Sequence, residues 1–302
     1  MAGVLLYGAP APGLADTPKG AVQVSPLMLG SQDLAEMPEA GADQAVILAP
    51  GGTLERDYVL AQALRVLKPG APLLAFAPKD KGGSRLKKAL EAFGCLVGED
   101  ARKHHRFCRA ARPRAPSGLA EAISAGGPQL LPHLGLWSQP GVFSWDRIDP
   151  GSARLLELLP KLAGKGADLG CGVGVLAAAI LASPNVTSLA CVDLDRRAVG
   201  CAAHNLDDPR ARVIWADARV RDESLTSLDF VVMNPPFHDG GAEDKALGVA
   251  FIAAAAAMLH KGGTAWIVAN RHLPYEHALG AAFAEVAVKA DAGGYKIFEA
   301  RK

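Results

Sequence analysis

The sequence is sparing with cysteine: five in 302 residues, at positions 95, 108, 171, 191 and 201. Their number is odd and no pair has C-x-x-C spacing, which argues against a disulfide framework and a zinc site and for a reducing compartment. Long apolar runs are missing too, so no segment is expected to span a bilayer. The opening MAGVLLYGAPAPG lacks the positive n-region of a secretory signal and has too short an apolar run. The expectation is a cytoplasmic protein without a membrane partner or a metal. Net charge is nearly absent, at +1, so the whole-chain balance selects no partner.

That balance hides a local excess. Lys plus Arg against Asp plus Glu is 4 to 7 over residues 1–78, 11 to 4 over 79–114, and 17 to 20 over 115–302. One segment of the first half therefore carries the positive charge. Half of all residues are hydrophobic and about a fifth charged, as in ordinary globular proteins, and the length suits two domains.

The second half alternates strand and helix signals. GADLGCG, SLACVDLD, RVIWADA, LDFVVM and TAWIVAN read as strands; VLAAAILAS, RRAVGCAAHNL and ALGVAFIAAAAAMLHKGG read as helices. Such alternation implies a mostly parallel sheet covered on both faces. AFAEVAVKADAGGYKIFEARK adds two strands around Gly293–Gly294, an antiparallel edge hairpin that makes the sheet seven-stranded. The first half has a similar rhythm: strands at 44–50 and 72–78, helices at 54–70 and 84–94, then the basic ARKHHRFCRAARPRAP. The prolines and glycines between 113 and 140 mark a connection. The expected organisation is 1–115, a linker at 116–139, and 140–302.

The first strand of the second half runs into Asp168-Leu-Gly170-Cys-Gly172-Val-Gly174. Glycines at a strand-to-helix turn let backbone approach a ligand. A dinucleotide fingerprint is G-x-G-x-x-G, whereas here an acid precedes G-x-G-x-G. A carboxylate repels pyrophosphate and attracts a cation, which favours S-adenosylmethionine, with its amino group and sulfonium. Asp193, after the next strand, is placed to accept from ribose hydroxyls, with Asp195 as competitor. Asp217, after the third strand, is placed to accept from an adenine amino group.

The fourth strand stops in Asn234-Pro235-Pro236-Phe237. Prolines stiffen the turn and leave only carbonyl acceptors; Asn234 adds another. Two rigid acceptors can take both hydrogens of a planar exocyclic amine, and Phe237 offers a face for an unpaired base. His238 and Asp239 follow, but methyl transfer to an amine needs no general base, so a loop role is expected for them. Asn270, Phe143 and Ser144 are open between lining the site and packing.

DLGCGVGVLA together with NPPFHDG resembles the class I S-adenosylmethionine-dependent methyltransferases that modify guanine N2 in ribosomal RNA, and within them the ribosomal RNA small subunit methyltransferase C family. PGVFSWDRIDPGSARLLELLP (140–160) and IVANRHLPYE (267–276) extend the resemblance over about 140–302; FAPKDKGGSRLKKALEAFG (76–94) carries a weaker one. The resemblance implies two tandem Rossmann-like methyltransferase domains, the C-terminal one catalytic and the N-terminal one degenerate and auxiliary. It implies cofactor contacts from Asp168, Gly170, Gly172, Asp193 and Asp217, and target-base contacts from Asn234, Pro235, Pro236 and Phe237. It selects guanine N2 of ribosomal RNA, in the small ribosomal subunit, over adenine N6 or a protein glutamine. With such an enzyme attached, Lys79, Lys81, Arg85, Lys87 and Lys88 become candidate phosphate contacts. A nicotinamide-dependent oxidoreductase leaves the Asn-Pro-Pro-Phe turn unexplained. A silent RNA-binding assembly protein is the other alternative.

Overall fold

The computed structural model of the chain describes residues 3–220, 224–236, 238–239, 242–243 and 245–302. Two compact units divide it: Met1–Gln129 with Gln139–Gly141, and Leu130–Ser138 with Val142–Lys302.

The first unit is built on strands β1 (Val4–Tyr7), β2 (Val22–Gln23), β3 (Gln44–Leu48), β4 (Pro72–Pro78), β5 (Gly98–Arg102) and β6 (His105–Ala111), in the order β2-β1-β3-β4-β6-β5. The first four are parallel, and β6 and β5 close the edge antiparallel. Helix α1 (Thr53–Val66) crosses from β3 to β4, and α2 (Leu86–Ala92) leads from β4 toward β5. Helix α3 (Leu119–Gly126) packs on α1. Residues 116–139, read as a linker, therefore hold a docked helix and a short pair of strands, β7 (Gln129–Leu131) and β8 (Leu136–Ser138). The docking is close because Gly126 has no side chain: a Cβ there would stand 2.4 Å from the Tyr58 Cβ.

The second unit continues with α4 (Pro150–Leu158), β9 (Gly164–Leu169), α5 (Val175–Leu181), β10 (Val186–Asp193), α6 (Arg196–Asn205), β11 (Ala211–Trp215) and β12 (Leu228–Met233). The short pair β13 (His238–Asp239) and β14 (Ala242–Glu243) precedes α7 (Lys245–Met258), β15 (Leu259–Asn270), α8 (Glu276–Ala282), β16 (Glu285–Ala292) and β17 (Tyr295–Arg301). Its seven-stranded sheet runs β11-β10-β9-β12-β15-β17-β16, parallel up to β15 and antiparallel in the final pair. Gly293 and Gly294 turn that hairpin at φ +63° and +84°. The expected α/β fold with an antiparallel edge is what forms. The first sheet repeats this order and these directions, lacking only a counterpart of β11.

Along β12 successive side chains enter opposite cores. Val231 and Met233 pack with residues of α7 and α8, and Phe230 and Val232 with residues of α4 and α5. Both faces are dry, which is why the strand reads as an unbroken apolar run. Among the described residues no helix is long and apolar enough to cross a membrane.

Candidate active site

Strand pairing assembles the site. Leu169 of β9 stands opposite Val192 of β10 and Met233 of β12. The residues that follow those strand positions, Gly170, Asp193 and Asn234, consequently emerge side by side at the carboxyl edge, where open α/β sheets bind ligands. Gly170, Gly172 and Gly174 have φ of +75°, +55° and +92°, conformations that disfavour any side chain. A Cβ on Gly172 would meet nothing within 4 Å, whereas one on Gly174 would press on Leu206 at 3.2 Å. The middle glycine thus bares its backbone to open space, and the last one seats the loop.

Asp193 braces this loop: its Oδ2 accepts the Gly172 N–H at 2.8 Å and its Oδ1 the Asp195 N–H at 2.8 Å. Asp195 is buried as the cap of α6 and chelates Arg197 at 2.8 Å, so the competing acid is enclosed in local structure, whereas Asp217, chelated in the same way by Arg219, is only partly buried. Asp217 is held at 2.6 Å by Arg219, whose hydrogen bonds keep its carboxyl below the usual range.

Asp168, the last but one residue of β9, is enclosed in the core just before the glycines. It is fully buried, neither oxygen has a hydrogen-bond partner among the described residues, and burial followed by the charge of Asp193 pushes its carboxyl up to about 7. An uncompensated carboxylate in a core is costly. A cation placed over the loop offsets that cost through charge alone. The bare Gly172 backbone and the orphaned Asp168 together fit a cationic small molecule.

Pro235 is buried and Pro236 exposed, and Phe237 lies outside the described residues. The Asn234 backbone oxygen is 3.8 Å from where a Cβ on Gly170 would stand, so the turn abuts the glycine loop. The side-chain Nδ2 of Asn234 donates to Asp149 Oδ2 at 2.8 Å and to Ser152 Oγ at 2.9 Å. With both donor hydrogens used, Oδ1 is left as an acceptor; among the described residues it receives no hydrogen bond. Asp149 and Ser152 were not among the expected site residues. The signal for them is the Asp-Pro-Gly-Ser helix start at 149–152, which marks a cap but not its second duty.

At the equivalent edge of the first unit a glutamine stands in place of the acid. Gln23, ending β2 as Asp193 ends β10, donates from Nε2 to the Gly8 carbonyl at 3.0 Å and accepts the Ser25 N–H at 2.9 Å. A Cβ on Gly8 would stand 2.9 Å from the Leu48 Cβ. The basic residues lie after β4: Lys79, Lys81, Arg85 and Lys88 are exposed, while Lys87 is half-buried and 3.8 Å from Glu91.

The family model described as "Methyltransferase small domain" matches residues 133–299. Ribosomal RNA small subunit methyltransferase C of Shewanella amazonensis is 32% identical over 273 residues, 86% of this chain and 77% of that one. The same-named protein of a Shewanella baltica strain is 38% identical over 265 residues, covering 85% and 75%. The chain belongs to the ribosomal RNA small subunit methyltransferase C family. A solved structure of the T. thermophilus 16S rRNA N2 G1207 methyltransferase, in complex with AdoMet and guanosine, superposes with a TM-score of 0.72 at 28% identity. That superposition covers 89% of this chain and 75% of the other, so the family likeness extends through both units. The stretch matched by the small methyltransferase domain contains Asp149, Ser152, Asp168, the three glycines, Asp193, Asp217 and Asn234.

Proposed function

We propose that the chain transfers a methyl group from S-adenosylmethionine to the exocyclic N2 of a guanine in 16S ribosomal RNA. The observation that carries this reading is the fixed amide of Asn234, whose Nδ2 is bound to Asp149 and Ser152, leaving Oδ1 as an acceptor in a turn that abuts the glycine loop. When bound, S-adenosylmethionine supplies a methyl group activated by its sulfonium. Gly170, Gly172 and Gly174 let the backbone approach it, Asp193 and Asp217 accept from its ribose and adenine ends, and Asp168 attracts its positive charge. Asn234 Oδ1 and the Pro235 carbonyl take the two amine hydrogens and orient the nitrogen. Pro235 and Pro236 keep the turn stiff, and the sequence motif assigns Phe237 as the face for the base. The rate gain is mainly alignment; the nitrogen would take the methyl carbon as its bond to sulfur breaks, a neutral thioether would leave, and the amine would then lose its proton to water.

The first unit serves as an RNA-holding partner. Lys79, Lys81, Arg85 and Lys88 contact phosphates without reading bases, Lys87 contributing little because it is half-buried beside Glu91, and the enzyme works in the cytoplasm, where its ribosomal substrate is made. The test is in vitro methylation of small-subunit RNA from a strain lacking this gene, with labelled donor and mass spectrometry of the digest. The expected product is N2-methylguanosine confined to one 16S fragment. Label in another nucleoside, or none, overturns the reading.

A further inference from the structure

We propose that Asp149 is a positioning residue for methyl transfer, acting through Asn234 by fixing which end of its amide faces the substrate amine. This rests on the reading above. Three distances carry it. Asp149 Oδ2 accepts the Ser152 N–H at 2.8 Å and the Asn234 Nδ2 at 2.8 Å, and the same Nδ2 reaches Ser152 Oγ at 2.9 Å.

The two partners of the Asn234 amide are not equivalent. A serine hydroxyl both donates and accepts, so it tolerates either orientation of the amide. A carboxylate only accepts, so a flipped amide would bring two acceptor oxygens together. Asp149 alone therefore dictates that Nδ2 points inward and Oδ1 outward. A substrate amine needs that order, because it brings hydrogens and not acceptors to Asn234. The carboxylate also polarises the amide, since hydrogen bonds in a chain strengthen one another. Oδ1 then better supports the positive charge that grows on the amine as its bond to the methyl carbon forms.

The local sequence maintains this arrangement. Asp149 is held in extended backbone as the N-cap of α4, followed by Pro150. Gly151 is needed beside it: a Cβ there would stand 2.8 Å from the Tyr295 ring and 3.0 Å from Asp149 Oδ2. The partners lie 85 residues apart in sequence, so α4 locks the turn that ends β12.

Asp149 also caps a helix, and the test separates the two roles. Asparagine is as good an N-cap as aspartate, so Asp149→Asn preserves the cap while its new NH2 allows the Asn234 amide to flip. The expected result is a fall in kcat on the order of 100-fold, with S-adenosylmethionine and RNA affinities changed less than about 3-fold and an unaltered melting temperature. Ser152→Ala, which leaves the carboxylate in place, should lose less than about 10-fold. In an Asn234→Ala background, Asp149→Asn should have almost no further effect. Full activity in soluble, folded Asp149→Asn overturns the proposal, as does additivity of the two substitutions. The wild-type product identifies the methylated nucleoside independently, so an error in the proposed substrate appears in that arm and not in the variant-to-wild-type ratio.

Discussion

Gly172 donates its N–H to Asp193 Oδ2 at 2.8 Å, and the matching contact of the first unit runs the other way, from Gln23 Nε2 to the Gly8 carbonyl at 3.0 Å. A carboxylate can hold a loop only by an amide, and its remaining lone pairs stay available to hydroxyl donors. The glutamine spends its donor on the loop carbonyl and its acceptor on backbone amides, leaving no charge to recognise a ligand. One sheet edge thereby keeps a charged acceptor beside its loop, and its repeat carries a neutral amide.

Asp193→Asn keeps the size of the side chain and removes its charge. Charged hydrogen bonds contribute about 1.5–3 kcal/mol, so the dissociation constant of S-adenosylmethionine should rise about 10- to 100-fold while RNA affinity holds. Calorimetric titration checks this, and unchanged affinity would remove Asp193 from the cofactor site.

Asp168 makes cofactor binding and stability depend on pH in opposite senses. Its folded pKa of about 7 lies above the unfolded 3.8, so the folded state holds the proton longer. Stability of the free protein should fall as pH rises between about 4 and about 7, by on the order of 4 kcal/mol, and level off above. Asp193, also raised by burial, adds in the same direction. A cationic ligand prefers the ionised acid, so affinity should rise from about pH 6 to about pH 7.5. Asp168→Asn should flatten both profiles, measured by urea unfolding and calorimetry; a wild-type stability that climbs with pH over this range would contradict the assignment.

Asn234→Ala deletes the outward acceptor and nothing of the glycine loop. Turnover should drop at least 100-fold, with the dissociation constant for S-adenosylmethionine changed less than about 3-fold. Single-turnover kinetics separates the two. A comparable loss in cofactor affinity would make Asn234 a binding residue.

The second sheet is readable from sequence because its buried strands are short apolar runs punctuated by glycines, and because an acid stands at or near the carboxyl end of three successive strands: Asp168 in β9, Asp193 ending β10 and Asp217 two residues after β11. The β5–β6 hairpin is not. All of Gly98–Arg102 is exposed, so no apolar alternation betrays a strand. Its turn residues, Lys103 and His104, take φ of +47° and +59° where Asn-Gly is the usual signal. Helix α3 was hidden among prolines and glycines; only the fold shows that Gly126 is a packing glycine against Tyr58 and not a linker residue. Asp149 reads locally as a cap, and its contact with Asn234 exists only once β12 is placed beside α4. What the sequence conceals is pairing between distant segments, which has no local periodicity.

The basic residues after β4 should act through charge. Each phosphate contact contributes about 0.7–0.9 to the slope of log affinity against log salt. Replacing Lys79, Lys81, Arg85 and Lys88 together by glutamine should flatten that slope by up to about 3 and weaken RNA binding. Lys87→Gln alone should do little, because Lys87 is half-buried beside Glu91. An unchanged slope in the fourfold variant would move the RNA surface elsewhere.

Gly166 shows how the core supports this edge. It pairs with Phe230 across β9 and β12, and a Cβ on it would stand 2.0 Å from the Phe230 ring. Phe230 is fully buried and close-packed surroundings leave it little room to move. Gly166→Ala should therefore destabilise the protein by about 1–3 kcal/mol or more, read by urea unfolding. Adding Phe230→Leu should recover part of that loss, because the smaller side chain makes room for the methyl. Gly200 is the control: it lies exposed within α6, and a Cβ there meets nothing within 4 Å. Gly200→Ala should stabilise by about 0.5–1 kcal/mol. Equal effects of the two alanines would mean that steric contact with Phe230 is not what keeps residue 166 a glycine.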